Sequence, residues 1–493
     1  MKDKTKTRCI AIFGTGSDVG KSIVATALCR FFKNKGIRVA PFKAQNMSNN
    51  SGVTPEGLEM GRAQIVQAEA AKIVPHADMN PILLKPTSDV GSQVVVLGQA
   101  VQNQTASQYH TEKEALFSLV CAASDRLREQ YELIVMEGAG SCAEVNLMAH
   151  DIVNFRMAEY ADAPVILVAD IHRGGVFAQI VGTLECLAQH QKDRIAGFII
   201  NRFRGDISLF QDGVQWIEQK TGKKVFGVLP WYNHFRIEAE DSVVIEQPAT
   251  VLPEKSDMPM IAVIRLPHIS NFTDFDPLLA LNGIKVCFIE QKQTLSAFNA
   301  VILPGSKNTR FDLEWLKTTG WAEMLMQYAE RGGHILGICG GYQILGRMVH
   351  DPEGSEGQPG STSGLSLLPI ETVLKPPKTT TLTRFSWQNI DGTGYEIHVG
   401  QNYRVDGKPL SDVLEQNRII GTYMHGLFDS PEITKHWLER IGLSHIEVSK
   451  LHGPAARDHE YDLLAEHFEK HIDTQAIMGV IHDCRSPRNK FQG

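Results

Sequence analysis

The stretch that most constrains the fold lies at residues 331–346 and reads RGGHILGICGGYQILG. A short apolar run, His334 to Ile338, stops at Cys339, two glycines follow, and apolar side chains then recur at helical spacing. This pattern predicts a buried strand, a tight turn and a helix, with the cysteine on the turn. Glycines allow the sharp bend and leave the sulfur uncovered. A free cysteine is usually a buried structural residue, but the Gly-Cys-Gly-Gly turn favours a nucleophile.

A nucleophilic thiol at this place needs a partner. Amides at a helix N-terminus stabilise a thiolate and the oxyanion of an acyl intermediate, and a nearby base or imidazolium populates the thiolate. His425 follows an apolar strand in IIGTYMHGLFDS (419–430), and we predict that it pairs with Cys339. A loop histidine with ordinary structural contacts is the alternative. Three weaker candidates are expected to be structural or at the rim: His268, His334 and His398.

An oxyanion hole is predicted beside the thiol. The segment AVILPGSKNT (300–309) reads as a strand that ends in Pro-Gly-Ser, and one helix is expected over about 309–330. The turn at Gly305 would supply one backbone amide, and Gly340 would supply the other. Both amides would then face the oxygen of an acyl group attached to the sulfur.

A second glycine-rich turn lies near the N-terminus. Residues 9–13 (CIAIF) predict a strand, GTGSDVGKS follows, and a helical pattern comes next. This order predicts a phosphate cradle, in which a lysine reaches the β- and γ-phosphates and a serine ligates Mg²⁺. The strict G-x4-GK[ST] spacing is not met, because Thr15 stands where the first glycine belongs, and the loop fits G-x5-GKS instead. A glycine-rich turn without a ligand is the alternative. The predicted phosphate-binding residues are Gly14, Thr15, Gly16, Gly20, Lys21 and Ser22.

Strands and helices alternate along both halves of the chain. This alternation predicts an α/β fold with two doubly wound domains and with ligands at the carboxyl ends of the parallel strands. Strands predicted over 131–141 and 195–206 contain Glu137 and Asn201 near their ends. We expect Glu137 to contact Mg²⁺ either directly or through another ligand, with a solvent-facing loop glutamate as the alternative. Asn201 is a candidate for the adenine side of a bound nucleotide.

The domain boundaries follow the same alternation. We predict a phosphate-binding domain over 1–235, a linker over 236–258, a cysteine-containing domain over 259–445 and a helical closing segment over 446–493. Two local interpretations accompany this division: 37–51 reads as one strand and 79–86 as a loop. The closing segment is expected to be one helix packed on the second domain.

Composition narrows the class of protein. A chain of 493 residues is too long for one ordinary core, and its 43% hydrophobic and 21% charged residues are typical of a soluble globular protein. A net charge of −7 gives no electrostatic footprint for nucleic acid or an anionic membrane. The eight cysteines form no C-x-x-C pair, which argues against zinc, iron–sulfur and disulfide frameworks and predicts a reducing cytoplasm. No apolar run is long enough to span a bilayer.

The motifs resemble two known groups of enzymes. The C-terminal half resembles the class I, triad-type glutamine amidotransferases, in which G-x-C-G-G carries the nucleophile and a later histidine is its partner. The N-terminal half resembles the dethiobiotin-synthetase-like P-loop proteins, which share the G-x5-GK[ST] loop. Their fusion in this order is typical of corrinoid amidases. Within these, FKAQNMSNNS, MNPILLKP, EGAGS, AEVNL, RGGVFA and NRFRGD resemble the cobyric acid synthase family more than the cobyrinic acid a,c-diamide synthases.

The resemblance implies an activity. ATP would activate the b, d, e and g carboxylates of adenosylcobyrinic acid a,c-diamide, and ammonia from glutamine, released at Cys339, would convert them to amides. The implied ligands are ATP, Mg²⁺, glutamine and the corrinoid, with no tightly bound prosthetic group, no nucleic acid and no membrane. A homo-oligomer is compatible with this. Since the two sites lie on different domains, ammonia is expected to follow a shielded path between them.

Two positions depart from the family patterns. Class I enzymes commonly place a glutamate two residues after the histidine, where this chain has Leu427. A third triad member is therefore absent or supplied elsewhere, and a Cys–His dyad is what the corrinoid group resembles. His172 stands where D-I-D-RGG has an acidic residue, which puts a metal or substrate role of that position in doubt and leaves Asp170 as the acidic candidate.

Two rival functions stay open from the sequence. One is a P-loop regulatory or partitioning ATPase with an inactive amidotransferase module. The presence of both Cys339 and His425 argues against it. The other is a different ATP-dependent amide ligase, such as cobyrinic acid a,c-diamide synthase or a cell-wall amidase. Only the acceptor separates this second rival from the favoured function.

Overall fold

This computed structural model of the chain describes residues 7–88, 91–105, 113–232, 237 and 258–483. The predicted linker, 236–258, lies outside the described residues except for positions 237 and 258. In the described part, no helix is both long and apolar enough to cross a membrane. The two six-stranded sheets confirm the predicted α/β class.

The N-terminal part alternates between strands and helices. Its strands are β1 (Arg8–Gly14), β2 (Val39–Phe42), β3 (Gln45–Met47), β4 (Ser51–Val53), β5 (Glu59–Gly61), β6 (Ile82–Ser88), β7 (Gly91–Val96), β8 (Gln99–Thr105), β9 (Leu133–Glu137), β10 (Val165–Asp170), β11 (Ile195–Phe203) and β12 (Lys224–Pro230). Its helices are α1 (Lys21–Asn34), α2 (Arg62–Ala70), α3 (Lys113–Gln130), α4 (Phe155–Tyr160), α5 (Val176–Cys186), α6 (Gln189–Arg194) and α7 (Gln211–Thr221).

Strand β1 is the centre of the first sheet. The sheet is parallel and has the order β12-β11-β10-β1-β9-β2. Ile10 and Ile12 pack in one core cluster and Ala11 and Phe13 in another, so both faces of β1 are buried and the strand reads as an unbroken apolar run. The chain order changes direction beside β1, which opens a crevice at the carboxyl end of the strand. The glycine-rich loop lies there.

Two local predictions in this part are wrong. Residues 37–51 do not form one strand but contribute β2, β3 and the first residue of β4, in three different sheets. Residues 79–86 are not a loop, since β6 belongs to the four-stranded sheet β3-β6-β7-β8. The pairing of β6 with β7 is irregular just after Pro86, where a strand tolerates proline.

The C-terminal part contains the second sheet. Its strands are β13 (Met260–Ile264), β14 (Ile269–Ser270), β15 (Lys285–Ile289), β16 (Ala300–Leu303), β17 (Gly305–Ser306), β18 (His334–Ile338), β19 (Met348–Asp351), β20 (Gly360–Ser363), β21 (Ile370–Trp387), β22 (Ile390–Arg404), β23 (Val413–Gln416) and β24 (Ile419–Thr422). Its helices are α8 (Asp276–Leu279), α9 (Thr309–Thr318), α10 (Trp321–Glu330), α11 (Gly340–Leu345) and α12 (Pro431–Arg440).

The second sheet has the order β15-β13-β16-β18-β24-β23, and only β23 runs antiparallel to its neighbour. The carboxyl ends of β13, β16, β18 and β24 therefore meet at one edge, and the long β21–β22 hairpin belongs to a separate four-stranded sheet.

The single helix predicted over 309–330 is wrong. Gly320, with φ of 78°, ends one helix and starts the next, so α9 and α10 are separate.

The last two helices, α13 (Gly453–His471) and α14 (Thr474–Asp483), pack on the first domain. The predicted single helix on the second domain is therefore wrong. Tyr461 and Phe468 of α13 lie in the core cluster that contains much of α1. Arg30 of α1 is fully buried and forms ion pairs with Asp458 and, at 3.4 Å, with Asp462. The apolar stripe of α13 is thus covered by the helix that follows the phosphate loop.

The packing of α13 makes a stability prediction. Phe468 is 0% exposed, so Phe468→Ala should destabilise the protein by about 3–5 kcal/mol and lower the unfolding temperature measured by scanning calorimetry. Leu209 is 84% exposed, and the control Leu209→Ala should change stability by less than about 0.5 kcal/mol. An unchanged unfolding temperature in Phe468→Ala would contradict the docking of α13 on α1.

Candidate active site

Cys339 lies on the turn between β18 and α11, as predicted. Its φ of 51° and ψ of −108° are a sharp, strained conformation of the kind that presents a nucleophile. The close fit of the turn explains the second glycine, because a Cβ on Gly341 would lie 1.9 Å from the carbonyl oxygen of Leu303. Helix α11 is shorter than the apolar pattern suggested, since Met348 already begins β19.

The structure brings His425 to Cys339, as predicted. His425 follows β24, which is the neighbour of β18 in the sheet. Cys339 is 6% exposed and His425 1%. Burial alone would lower the pKa of His425. The charge of Asp274 and hydrogen bonds with Asp274 and Cys339 outweigh burial and raise the pKa to about 10. The ring is therefore an imidazolium at neutral pH, and an imidazolium beside a cysteine favours the attacking thiolate.

Asp274 is the residue that sequence reasoning missed. Its Oδ2 lies 2.7 Å from Nδ1 of His425, and its Oδ1 accepts a hydrogen bond from the N–H of Gly426 at 3.0 Å. The carboxylate is supplied from the loop after β13, not from the position two residues after the histidine. The signal that pointed to it was weak: NFTDFDP follows a parallel strand, and such loops meet at one edge of the sheet.

The two glycines predicted for the oxyanion hole both lie beside the Cys339–His425 pair, since Gly340 directly follows Cys339. A Cβ on Gly340 would come within 2.7 Å of the backbone nitrogen of Ser306, and a Cβ on Gly305 within 3.4 Å of the His425 ring. The N–H of Gly305, however, points elsewhere. Lys307 N donates to His268 O at 2.9 Å, and hydrogen-bonded pairs alternate along the β14–β17 ladder, so Gly305 pairs with Ser270. Ser306 then falls in a non-hydrogen-bonded pair of the ladder, and its backbone nitrogen lies beside Gly340, so its N–H is the alternative to that of Gly305.

Strand β22 covers the thiol. Cys339 Sγ donates to the carbonyl of Ile397 at 3.5 Å, and the ring of Tyr395 stacks on His425 with centroids 5.2 Å apart. His398 stacks on Tyr423 at 3.7 Å and contacts Glu396 at 2.8 Å, so it is held by neighbours in the wall of the site.

The other two weak histidine candidates have structural surroundings. His268 contacts Asp312 at 2.9 Å. His334 lies at the start of β18, at the opposite end of that strand from the thiol. Both positions agree with the expectation that these histidines are structural or at the rim.

The phosphate loop follows β1 and leads into α1. Lys21 Nζ donates to the carbonyl of Gly16 at 2.9 Å, within the loop. Gly20 has φ of 99°, and a Cβ there would lie 2.0 Å from the side-chain nitrogen of Asn201. Asn201 is 2% exposed and donates to the carbonyl of Val19 at 2.9 Å, so its side chain stabilises the conformation of the phosphate loop. A contact of Asn201 with adenine stays a prediction.

Glu137 is buried at the end of β9 beside the loop. Ser22 Oγ donates to its Oε1 at 2.8 Å, Lys43 Nζ lies 2.9 Å from the same oxygen, and Gln67 donates to Oε2. Burial raises the pKa of Glu137, but the Lys43 charge and these hydrogen bonds outweigh it and lower the pKa below its usual range. The carboxylate therefore stays ionised. Its solvent-facing alternative is excluded by an exposure of 2%.

A cavity of about 530 Å³ joins these groups. Its lining includes Lys21, Ser22, Lys43 and Glu137, together with Asn46 and Met47 from the neighbouring strand β3. Among the described residues, no cluster of three or more histidine, cysteine or acidic side chains could hold a metal ion by itself.

The acidic candidate at the end of β10 is engaged in an ion-pair network. Arg202 lies 3.0 Å from Asp170 and 2.8 Å from Asp18. His172 is exposed, and its ring lies 5.0 Å from that of Trp231. Position 172 thus stands at the surface near the site, and its role stays open as a prediction.

The pairing of His425 with Asp274 predicts a pH effect. Asp274→Asn removes the carboxylate charge, so burial should lower the pKa of His425 from its wild-type value of about 10. The ring of His425 would then lose its proton at a lower pH than in the wild type, and histidine NMR resonances followed against pH would report the change. Glu371→Gln, beside the surface residue His350, is the control and should leave His425 unaffected. Equal titration of His425 in both variants would contradict the assignment.

Comparison with known proteins identifies two domains in the chain. Residues 260–433 match the CobB/CobQ-like glutamine amidotransferase domain, and residues 10–244 match the CobQ/CobB/MinD/ParA nucleotide binding domain. A crystal structure of a glutamine amidotransferase aligns at 17% identity with a TM-score of 0.29, covering 37% of this chain and 98% of that one.

Similarity to known protein sequences extends along nearly the whole chain. The cobyric acid synthase of Chlorobium phaeobacteroides (strain DSM 266) is 48% identical over 97% of this chain and 98% of that protein. The cobyric acid synthase of Chlorobaculum tepidum is 47% identical over 96% and 97% of the two chains. With such identity over the full length of these relatives, the chain belongs to the cobyric acid synthase family.

Proposed function

We propose that this chain converts the b, d, e and g carboxylates of adenosylcobyrinic acid a,c-diamide into amides, with ATP and glutamine as co-substrates. The observation that carries the proposal is the buried Cys339–His425–Asp274 arrangement, in one chain with a phosphate loop whose serine touches a buried carboxylate. The first site suits release of ammonia from an amide, and the second suits activation of a carboxylate by a nucleoside triphosphate.

In the glutamine reaction, the thiolate of Cys339 attacks the side-chain amide carbon and forms a C–S bond. The oxyanion that results accepts hydrogen bonds from the N–H groups of Gly340 and Ser306, with Gly305 shaping the backbone beside them. Because Nδ1 of His425 is bonded to Asp274, Nε2 carries the proton that goes to the leaving nitrogen. Ammonia departs, and neutral His425 then takes a proton from the water that hydrolyses the thioester to glutamate.

In the acceptor reaction, a corrinoid carboxylate oxygen attacks the γ-phosphorus of ATP, ADP leaves, and an acyl phosphate forms. Ammonia attacks the acyl carbon, phosphate leaves, and the new amide nitrogen loses its extra proton. The N–H groups of Gly16 and Gly20 and the ammonium of Lys21 would hold the phosphates, since such loops present N–H groups to anions. The N–H of Thr15 donates to the carbonyl of Val168 at 3.0 Å and Gly14 ends β1, so these two residues would position the loop. Ammonia would reach this site by a shielded path between the domains.

The residues present fit a magnesium ion that arrives with the nucleotide. Ser22 Oγ and Glu137 Oε1 lie 2.8 Å apart, and hydroxyl and carboxylate oxygens are ligands that Mg²⁺ takes. Since Lys43 and Gln67 already bind the Glu137 oxygens, contact through water is favoured for that residue. The ion would offset negative charge on the transferring phosphoryl group.

The free state of the seven described cysteines fits a reducing compartment, and we propose a cytoplasmic location.

The division of labour predicts the effect of removing the thiol. Cys339→Ala should lose roughly a thousandfold or more of the glutamine-dependent amidation, because the sulfur that attacks the amide is removed. It should keep amidation supported by ammonium. Mass spectrometry of the corrinoid after incubation with ATP and Mg²⁺ would show four successive acid-to-amide changes. Cys186→Ala, at an exposed cysteine, is the control. Retention of glutamine-dependent amidation would rule out Cys339, and no change of this corrinoid would rule out the acceptor.

Removing the loop lysine should act differently. Lys21→Ala should lower amidation about 10²–10³-fold with either nitrogen source, because the charge that stabilises the transferring phosphoryl group is lost. Lys33→Ala, at an exposed lysine of the same helix, should leave both rates unchanged. The measurement is ADP release together with amide formation. A loss confined to the glutamine-dependent reaction would contradict the role of the loop.

A further inference from the structure

A second cavity lies at the amino end of the second sheet. It has a volume of about 780 Å³ and lies between the loop after β15, the end of α10, the turn between β23 and β24, and the end of α12. Strands β16, β18 and β24 begin at its wall, whereas Cys339 follows the carboxyl end of β18. The cavity therefore belongs to neither of the two sites described above, and the proposed reaction does not use it.

Cationic side chains from four different elements line this cavity. Arg331 follows α10, Arg418 lies in the turn between β23 and β24, Arg440 ends α12, and Lys292 lies in the loop after β15. Among the described lining residues, Glu439 supplies the single carboxylate. Cations at C-terminal helix ends stabilise the helix, which explains Arg331 and Arg440. It does not explain why two further cations from outside these helices converge on the same cavity.

These charges are only partly neutralised by neighbours. Arg440 forms an ion pair with Glu415, which lines an adjoining cavity of about 350 Å³. Arg418 Nη1 donates to the carbonyl of Gly332 at 2.7 Å, which fixes the guanidinium without cancelling its charge. In the part of the chain that the structure describes, neither Arg331 nor Arg418 forms an ion pair with a carboxylate. The wall of the cavity thus carries an excess of positive charge.

His334 lies in the field of these cations. It lines both cavities, and burial, together with the charges of Arg418 and Arg440, lowers its pKa below the usual value. The imidazole is therefore neutral at neutral pH. An anion bound beside the guanidiniums would offset this effect, because a negative charge stabilises the imidazolium. Titration of His334 thus reports an anion in the cavity.

The floor of the cavity is apolar. Leu295, Phe298 and Ile441 belong to its lining and are at most 5% exposed. Tyr328 lies beside them, and its hydroxyl donates to the carbonyl of Phe298 at 2.9 Å. A cationic rim above an apolar floor suits an anion that has an organic body. Guanidinium groups bind phosphate through paired N–H···O bonds, and a phosphate dianion compensates several cations better than a single carboxylate does.

We propose that this cavity, which we call the arginine cavity and define by Arg331, His334, Arg418 and Arg440, binds an organic phosphate. The guanidiniums of Arg331 and Arg418 hold the phosphate oxygens, and the apolar floor receives the organic body. Arg440 stays paired with Glu415 and adds to the positive field. Because the site lies at the opposite edge of the sheet from the thiol, its ligand does not compete with glutamine. The site is independent of the proposed function.

Phenyl phosphate is the probe, because it joins a phosphate to a compact apolar body. Its binding to the unmodified protein is followed by the NMR resonance of His334, which is identified by its absence in His334→Gln. In the wild type this resonance should shift to saturation, and the pKa of His334 should rise, since the bound anion favours the imidazolium. Inorganic phosphate, which lacks the body, and benzoate, which lacks the phosphate, should each bind about tenfold more weakly.

The variants locate the binding site. Arg331→Gln and Arg418→Gln should each weaken the binding of phenyl phosphate about tenfold, because each removes a charged hydrogen-bond donor. Arg331 is exposed, so Arg331→Gln tests the proposal even if Arg418→Gln lowers stability. Arg265→Gln, directly after β13 at the opposite edge of the sheet, is the matched control and should bind like the wild type. Lys21→Ala should also bind like the wild type, since it alters the phosphate loop and leaves the arginine cavity intact.

Each outcome decides a part of the proposal. A His334 resonance that does not respond to phenyl phosphate overturns it, as does an affinity in Arg331→Gln and Arg418→Gln equal to that of the wild type. An equal loss in Arg265→Gln or Lys21→Ala also overturns it, because the response would then arise from another site. Benzoate that binds as tightly as phenyl phosphate overturns the assignment to a phosphate, and inorganic phosphate that binds as tightly overturns the role of the apolar floor.

Discussion

The buried hydrogen bond between Asp274 and His425 is the interaction on which the thiol site depends. A charged pair removed from water is stable only when geometry and further hydrogen bonds compensate the lost hydration. Here the carboxylate also binds the N–H of Gly426, so both of its oxygens have partners. The pair requires the loops after β13 and β24 to meet across two intervening strands. The parallel sheet brings these loops to the same edge, and the 3-10 turn before α8 places Asp274 beside His425.

The phosphate site uses the same physical device with other residues. Glu137 is buried at the end of a parallel strand and is kept ionised by Lys43 and by hydrogen bonds from Ser22 and Gln67. The hydrogen bond to Glu137 holds the hydroxyl of Ser22 in place at the start of α1. In each domain a buried carboxylate thus orients a side chain that would take part in the chemistry. The two orienting groups differ in their partners because one serves an imidazole and the other a phosphate loop.

The contact between the domains is polar and buried, which makes it specific. Glu59 lies between Lys85 of the same domain, at 2.7 Å, and Lys378 of the β21–β22 hairpin, at 2.6 Å. Burial lowers the pKa of Lys378 although Glu59 opposes this, and the same two lysines outweigh burial in lowering the pKa of Glu59. A cluster of this kind tolerates little displacement, since separating its members would leave charges unpaired. It therefore holds the hairpin that covers Cys339 against the first domain.

What the sequence determined by itself was local. The strand–turn–helix units around Gly14–Ser22 and Cys339 were predictable because apolar spacing, glycines and the chemical residue all lie within about twenty positions. His425 was predictable because it follows an apolar strand and Cys339 needs a partner. The break at Gly320 and the strand at β6 were misjudged, because local sequence does not show where a glycine adopts a positive φ or which neighbour a short strand will pair with.

Only the tertiary structure decided the rest. Asp274 is 151 positions from His425, and no periodicity or spacing connects them. The preference for the Ser306 amide follows from the pairing of two short strands, which local sequence does not encode. The docking of α13 on α1 depends on which apolar face is left uncovered after both sheets have formed. Motifs are set by neighbours in the chain, whereas the partners of buried charges are set by the order of strands in the sheets.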